Sequence, residues 1–468
     1  MKRTIELRLT RQDKAAGFYH YAPFEVPEGT TRIDVALAFD RSGGCELNFG
    51  LFDPTATEFP SAGGIRGWSP DFHETFFTAT DDASPGYLWG PIVAGQWQLM
   101  IGLGTIPTGG VTLRIEIGLD AAPRPTTPQP VRLEPVRKGA GWYRGDTHCH
   151  TFHSDADGSP ETLHAAARQA GLDFLAVADH NTTSQRRYFY PASSPELVFV
   201  RAMEVTTHNG HANAFGVEGM IDYRLTRPDD VHRLVEHVHA RGGILSVNHD
   251  KPTIPWGYEL PRVDCMEVWQ STWIEWNWIS LARYQHRLAA GLRISAIGGS
   301  DYHQPAELRP ESPFVLARPT TVLWLEELSE AAIIAAMKAG HGYITEDPKG
   351  PHLAITADGQ PMGSLLTEAR EVRAEVRGAA GDRLVWIDAS GALDSVVIGS
   401  DDWSTSFDTP ARIATFIRAE IIAKASYERL YQIAEAALPE APMVEQLVPI
   451  MRQQAIRRAI SNPIYFGH

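Results

Sequence analysis

The sequence predicts an α/β chain: an all-β N-terminal domain, then alternating strands and helices, then a small β and helical C-terminal region. Three observations carry this expectation. Residues 1–120 hold short apolar or alternating runs broken by Gly, Pro, Asp and Ser clusters, with no long helix-period stretch. A proline-rich segment follows at 121–138. Beyond it, short β-rich runs alternate with helical patterns, as βα units of a parallel sheet do.

In the first domain the expected strands include Thr31–Phe39, Glu46–Phe52, Gln96–Gly102 and Val111–Gly118, and a β-sandwich is the natural architecture. Its aromatic residues Trp68, Tyr87, Trp89 and Trp97 suit core packing better than a ligand-binding face. The prolines of 121–138 deny that stretch both a helix and a sheet ladder, which makes it a linker. The next domain is expected over 139–348. Its strands are Phe174–Ala178, Leu197–Thr206, Ile244–Asn248, Asp264–Trp269 and Ile294–Gly298. Pro160–Gln169, Pro228–Arg241 and Ile279–Ala290 are the helices between them, the first capped by Ser159 with Glu161 in its first turn. A β-rich region is expected at 349–422. A helical one follows at 423–468, from apolar positions Leu430, Ile433, Ala437, Leu447, Ile450 and Met451.

Composition narrows the functional classes. A chain of 468 residues, 43% hydrophobic and 21% charged, fits two or three ordinary globular domains. The N-terminus lacks the apolar core of a signal peptide, and no run of about 18 apolar residues occurs. Three separated cysteines, Cys45, Cys149 and Cys265, suit reduced thiols and a cytoplasmic setting. A net charge of −15 disfavours nucleic acid and anionic membrane as partners. A small-molecule substrate is expected, with a homo-oligomer left open.

The chemistry centres on Gly145-Asp-Thr-His148-Cys149-His150-Thr-Phe-His153-Ser-Asp155. Residues two apart on a strand share a face, so His148 and His150 project together while Cys149 points to the core. Alone, a His-x-His pair is a weak metal signal. Here it is reinforced, because the successive strands end in Asp179-His180, Glu204, Asn248-His249 and Asp301-Tyr-His303. In a parallel βα architecture such ends open onto one face. Imidazoles and carboxylates gathered there suit divalent cations. Asp146 and Asp179 are expected to hold imidazole N–H groups. His153 and His208 read equally as second-sphere or general-acid groups and as plain loop residues. His232, His237 and His239 read as a solvated helix face. The cluster Trp256, Trp269, Trp273, Trp276 and Trp278 reads as a pocket wall or as packing. Lys251 and Arg283 are candidates to hold an anionic oxygen.

In order and spacing, Asp-Thr-His-Cys-His, His-Ser-Asp, Ala-Asp-His-Asn, Glu204, Asn-His and Gly-Ser-Asp-Tyr-His resemble the four motifs of the polymerase-and-histidinol-phosphatase (PHP) superfamily over residues 141–345. The flanking sandwich and Ser461-Asn-Pro-Ile-Tyr-Phe466 are similar to its carbaryl-hydrolase-like (CehA/McbA-like) branch. The resemblance implies a distorted (β/α)7 barrel with two or three divalent ions (Zn, Mn or Fe). The implied metal ligands are His148, His150, Asp155, His180, Glu204, His211, His249, Asp301 and His303, with Glu204 bridging. Ala178 departs from the pattern, where Thr is common. The implied activity is hydrolysis by a metal-bridging hydroxide, with Asp155, Glu204, His303 and His153 as catalytic candidates. The substrate is a small phosphoester, or alternatively a carbamate, carboxyl ester or amide. A non-catalytic metal- and ligand-binding protein is the rival from another class.

Overall fold

The computed structural model describes residues 1–259, 262–304, 314–369, 371–408, 415–424, 450 and 453–467. At the N-terminus two four-stranded antiparallel sheets face each other. One runs Lys2–Leu9, Val111–Asp120, Arg32–Ala38, Thr75–Ala79; the other runs Tyr19–Val26, Gly95–Thr105, Glu46–Phe52, Ile65–Pro70. Strict alternation in strands such as Val111–Asp120 turns every second side chain inward. Ile33, Val35, Leu113 and Ile115 of one sheet share a core with Phe49, Trp97, Leu99 and Ile101 of the other. Tyr87, Trp89 and Trp97 lie in that core, which matches the packing role expected of them. One short helix, Arg11–Ala16, interrupts the strands, started by a Thr10/Asp13 capping box that the sequence reading passed over.

After the linker, seven strands are neighbours in chain order: Arg137–Cys149, Phe174–Val177, Val198–Thr207, Gly210–Phe215, Ile244–Val247, Cys265–Gln270 and Ser295–Gly299. The five strands anticipated here appear within one or two residues of their expected bounds. The sheet curls, and its last strand returns to the first. Asp301 N donates to His148 O at 2.8 Å and His150 N to Tyr302 O at 2.9 Å, with Cys149 and Tyr302 bridged in parallel. The expected distorted (β/α)7 barrel is nevertheless not what forms. Gly210–Phe215 runs antiparallel to both neighbours. The reason is local: Thr207 pairs with Gly210, leaving a two-residue turn where a parallel crossover needs a dozen residues or more.

Pro160–Ala170, Asp230–Ala240 and Asn277–Ala289 are the longer helices between these strands. Each buries one stripe, for example Val231, Leu234, Val235 and Val238. Ser159 caps the first helix by accepting from Thr162 N, and Gly171 ends it in the left-handed conformation. No helix among the described residues is long and apolar enough to cross a membrane.

The C-terminal region departs most from expectation. Gly342–Thr345 pairs with Arg457–Ser461, which pairs with Phe416–Ile422 and onward to Arg383–Asp388, so the central sheet runs across the expected boundary at 348/349. Arg457–Ser461 and Ile464–Phe466 are strands, not helix. Five residues are too few to show a period; pairing on both edges decides them. Of the expected helical region 423–468, residues 425–449, 451, 452 and 468 lie outside the described residues. Asn462 fastens this end to the last curled strand, accepting from Ala296 N at 2.6 Å and donating to Ala296 O and Gly342 O at 3.0 Å.

Candidate metal centre

The curl brings the strand ends together. His148 lies on the first strand and His150 just past its end, both fully buried, with Cys149 on the opposite side in a separate apolar cluster. His180 follows the second strand and forms a backbone bridge with Glu204 of the third. His211 sits on the hairpin strand opposite Thr206. His249, Asp301 and His303 follow the fifth and seventh strands. Asp155, from the loop after the first strand, reaches His180 Nε2 at 3.4 Å and His303 Nε2 at 3.2 Å.

Glu204 is the hub. Its Oε1 lies 3.2 Å from His249 Nε2, 3.3 Å from His211 Nδ1 and 3.4 Å from His148 Nε2. Its Oε2 lies 2.7 Å from His180 Nδ1 and 3.8 Å from His150 Nε2. Asp301 Oδ1 adds contacts of 2.8 Å to His150 Nε2 and 3.3 Å to His148 Nε2. Every one of the nine expected ligands belongs to this cluster.

The donor set can be tested for fit to cations. Within it His148 Nε2, His150 Nδ1, Glu204 Oε2, His211 Nδ1 and His249 Nδ1 are buried without a properly oriented hydrogen-bond partner. Each such atom costs about 1–3 kcal/mol, and three of them, His148 Nε2, Glu204 Oε2 and His211 Nδ1, lie in the contacts around Glu204, which is paradoxical for a purely structural core. Ligand atoms within 4.8 Å of one another form four overlapping groups: His150/Asp155/His180/His303, His148/His150/Asp301, His180/Glu204/His211 and His148/His249/Glu267. Nitrogen and carboxylate donors without cysteine suit Zn, Mn or Fe. The residues fit divalent cations.

Electrostatics point the same way. Burial works against ionisation of Glu204, yet His148, His180 and His211 overcome it and hold the carboxyl well below its usual range. Burial likewise opposes ionisation of Asp155 and Asp301, and the neighbouring histidines prevail in both. His150 is pushed down to about 3 by burial and by His303 and His180, and so keeps a lone pair for a cation. Backbone strain gathers here too. Asn181, His249, Asp301 and Gln304 all have positive φ, a conformation costing about 1–3 kcal/mol that persists where surrounding structure enforces it.

Some expected roles shift. Asp146 accepts from His148 N, Ser300 N and Ala317 N at 2.7–3.0 Å, and Asp179 accepts from Thr151 N, Thr151 Oγ1 and Ser154 Oγ at 2.8 Å. Neither meets an imidazole; they hold the loops that carry ligands. His153 is not brought into the cluster as a catalytic group. Its Nδ1 bonds Ser184 Oγ at 2.7 Å, and Ser184 also receives Gly86 N from the sandwich at 3.0 Å, so this histidine helps fasten the two domains. His208 stacks on Phe18 at 5.0 Å. Arg283 pairs with Asp250 instead of facing the centre. Lys251 is buried, bonded to Gln270 Oε1, whose Nε2 donates to Asp301 Oδ2 at 2.7 Å.

Of the tryptophan cluster, Trp269 and Trp273 are 3% and 4% exposed and pack edge-to-face at 4.9 Å in the main core. Their role is packing. Trp273→Ala is therefore expected to keep its metals, by elemental analysis, and to lose about 3–5 kcal/mol of stability in a denaturant titration. Two site neighbours escaped the sequence reading. Trp68 of the sandwich meets the His180 ring edge-on at 6.1 Å and belongs to the core of the central sheet; nothing in its local sequence tells which core it joins. Glu267 lies inside a strand, not at its end, and the signal for it was a lone carboxylate in the apolar run Cys265–Trp269.

No family model matches the chain, and no curated protein matches it. Among solved structures it is similar, at 11% identity and a TM-score of 0.17 over 25% of this chain and 86% of that one, to PliG of Aeromonas hydrophila, a periplasmic inhibitor of g-type lysozyme. It is also similar, at 14% identity and a TM-score of 0.36 over 64% of this chain and 95% of the other, to a two-domain protein from Bacteroides vulgatus containing a predicted PHP-like metal-dependent phosphoesterase.

Proposed function

We propose that this chain is a metal-dependent phosphoesterase of the PHP type, acting on a small substrate at the Glu204 centre. The observation that carries the reading is one buried carboxylate contacting five histidines, with buried nitrogens left unpartnered around it. Two or three divalent ions held there would supply Lewis acidity, lowering the pKa of a water and offsetting charge on a phosphoryl oxygen.

The chain's own residues supply the rest. Glu204 offers one oxygen to each side of the cluster, as a carboxylate shared between two sites does. Asp155 and His303 are 32% and 34% exposed at the side chain, while His148, His150 and Glu204 are sealed. The centre thus has an open face, which a closed structural site lacks. His303 stands on that face, placed to pass a proton to a leaving oxygen, with the ionised Asp155 beside it at 3.2 Å. Lys251, itself paired with Glu275 at 3.4 Å, holds Gln270, whose amide donates to Asp301 Oδ2 and so helps to fix that ligand. Trp269 and Trp273 are buried in the core and so offer no pocket wall to the apolar part of a carbamate or ester substrate.

The test is elemental analysis of the purified protein beside a panel of p-nitrophenyl phosphates, carbamates and carboxyl esters. Phosphate hydrolysis abolished by a chelator and restored by divalent cation is expected, with His148→Ala inactive and poor in metal. Turnover unaffected by chelation, or His148→Ala as active as wild type, would end the reading. Hydrolysis confined to the carbonyl substrates would reassign the reaction class.

A further inference from the structure

We propose that Glu267 is a positioning residue that fixes the proton of His148 on Nδ1, so that Nε2 presents its lone pair to the metal site. This rests on the metal-centre reading above and adds to it a residue outside the nine expected ligands.

Glu267 is 1% exposed, in the middle of the strand Cys265–Gln270. Its Oε1 stands 2.9 Å from His148 Nδ1, and its Oε2 accepts from His249 N at 3.2 Å. One carboxylate therefore ties together two strands that carry ligands. An ionised carboxylate only accepts hydrogen bonds, so the shared hydrogen belongs to the imidazole. A neutral imidazole protonated at Nδ1 is unprotonated at Nε2. His148 Nε2 is the buried, unpartnered atom that faces Glu204 Oε1 at 3.4 Å and Asp301 Oδ1 at 3.3 Å. The geometry of Glu267 thus selects the tautomer that a cation between those carboxylates needs, and a negative charge behind the ring raises its basicity.

The pair has little freedom to move. A Cβ added at Gly299 would lie 2.4 Å from His148 Cβ and 2.8 Å from Glu267 Oε1, so the strand beneath fits only without a side chain. The competing role is direct ligation, since His148, His249 and Glu267 also form a compact group. It is disfavoured because Glu267 already spends one oxygen on the far nitrogen of His148 and the other on a backbone amide.

The experiment compares wild type, Glu267→Gln and Glu267→Ala by metal titration and by nitrogen-15 histidine spectra of the metal-free protein at alkaline pH, because, against the opposing effect of burial, Glu267, Glu204 and Asp301 raise the His148 pKa well above its usual value and the ring must be neutral for its tautomer to be read. In both variants full metal stoichiometry is expected at saturation. Affinity should fall about 10–100-fold in Glu267→Ala and less in Glu267→Gln, whose amide oxygen still accepts. The spectra should show His148 as the Nδ1–H tautomer in wild type and as a mixture in Glu267→Ala; should that variant fail to fold, Glu267→Gln carries both readouts. Loss of a metal equivalent at saturation would make Glu267 a ligand and overturn the proposal. So would unchanged affinity and an unchanged tautomer. A wild-type protein that binds no metal would instead remove the centre itself, while the tautomer measurement would still judge the hydrogen bond.

Discussion

Glu204→Gln is expected to purify with at least one metal equivalent fewer than wild type and to lose roughly 10³-fold or more in kcat/KM, about 4 kcal/mol of transition-state stabilisation. The substitution barely changes volume. What it removes is the negative charge that five imidazoles surround, and with it the ability of both oxygens to serve as donors to cations. An amide offers one weak oxygen donor and presents N–H groups to the other side, where they oppose a cation. Elemental analysis and steady-state kinetics on the same preparation check both halves. Wild-type metal content with lost activity would limit Glu204 to a chemical role; wild-type values of both would remove it from the centre.

Asp250→Ala is expected to lower stability by about 3–5 kcal/mol, read as a lower urea midpoint at unchanged slope. Asp250 is 2% exposed and engages two guanidinium groups, Arg287 Nη2 at 2.9 Å and Arg283 Nη1. It also accepts from Trp256 N at 3.0 Å. Removing it leaves two cations of the Asn277–Ala289 helix without their counter-charge. Arg283 is 37% exposed and solvent compensates it in part, so Arg287, at 16%, dominates the loss. Because His249 immediately precedes Asp250 and holds a positive φ, metal affinity should fall as well. An unchanged midpoint would mean that both arginines find other partners.

The strand ends were legible because their residue types conflict with their setting. Phe174–Val177 and Ile244–Val247 are wholly buried, and the histidines two or three residues beyond them, His249 and His180, are polar groups that such apolar runs do not call for. The antiparallel hairpin was harder. The sequence predicted a strand at Leu197–Thr206 and no element at Gly210–Phe215, and the only mark of the reversal was the short polar turn His208-Asn209. Glu267 was missed for a related reason: its partner His148 lies 119 residues away, and no local pattern records a contact of that span.

The family resemblance supplied Asp155 and His211; by itself the sequence determined the alternating core faces, the Ser159 cap and the strand-end residues His148, His150, His180, Glu204, His249, Asp301 and His303. These depend on residue chemistry and on periods of two or 3.6, which are properties of neighbouring residues. The tertiary structure decided the rest: the curl that closes Asp301 onto His148, the antiparallel fourth strand, the C-terminal strands completing the central sheet and the placement of Trp68 and Glu267 beside ligands. Those outcomes turn on backbone pairing and close packing between distant segments, whose energies exist only once the chain has brought them together.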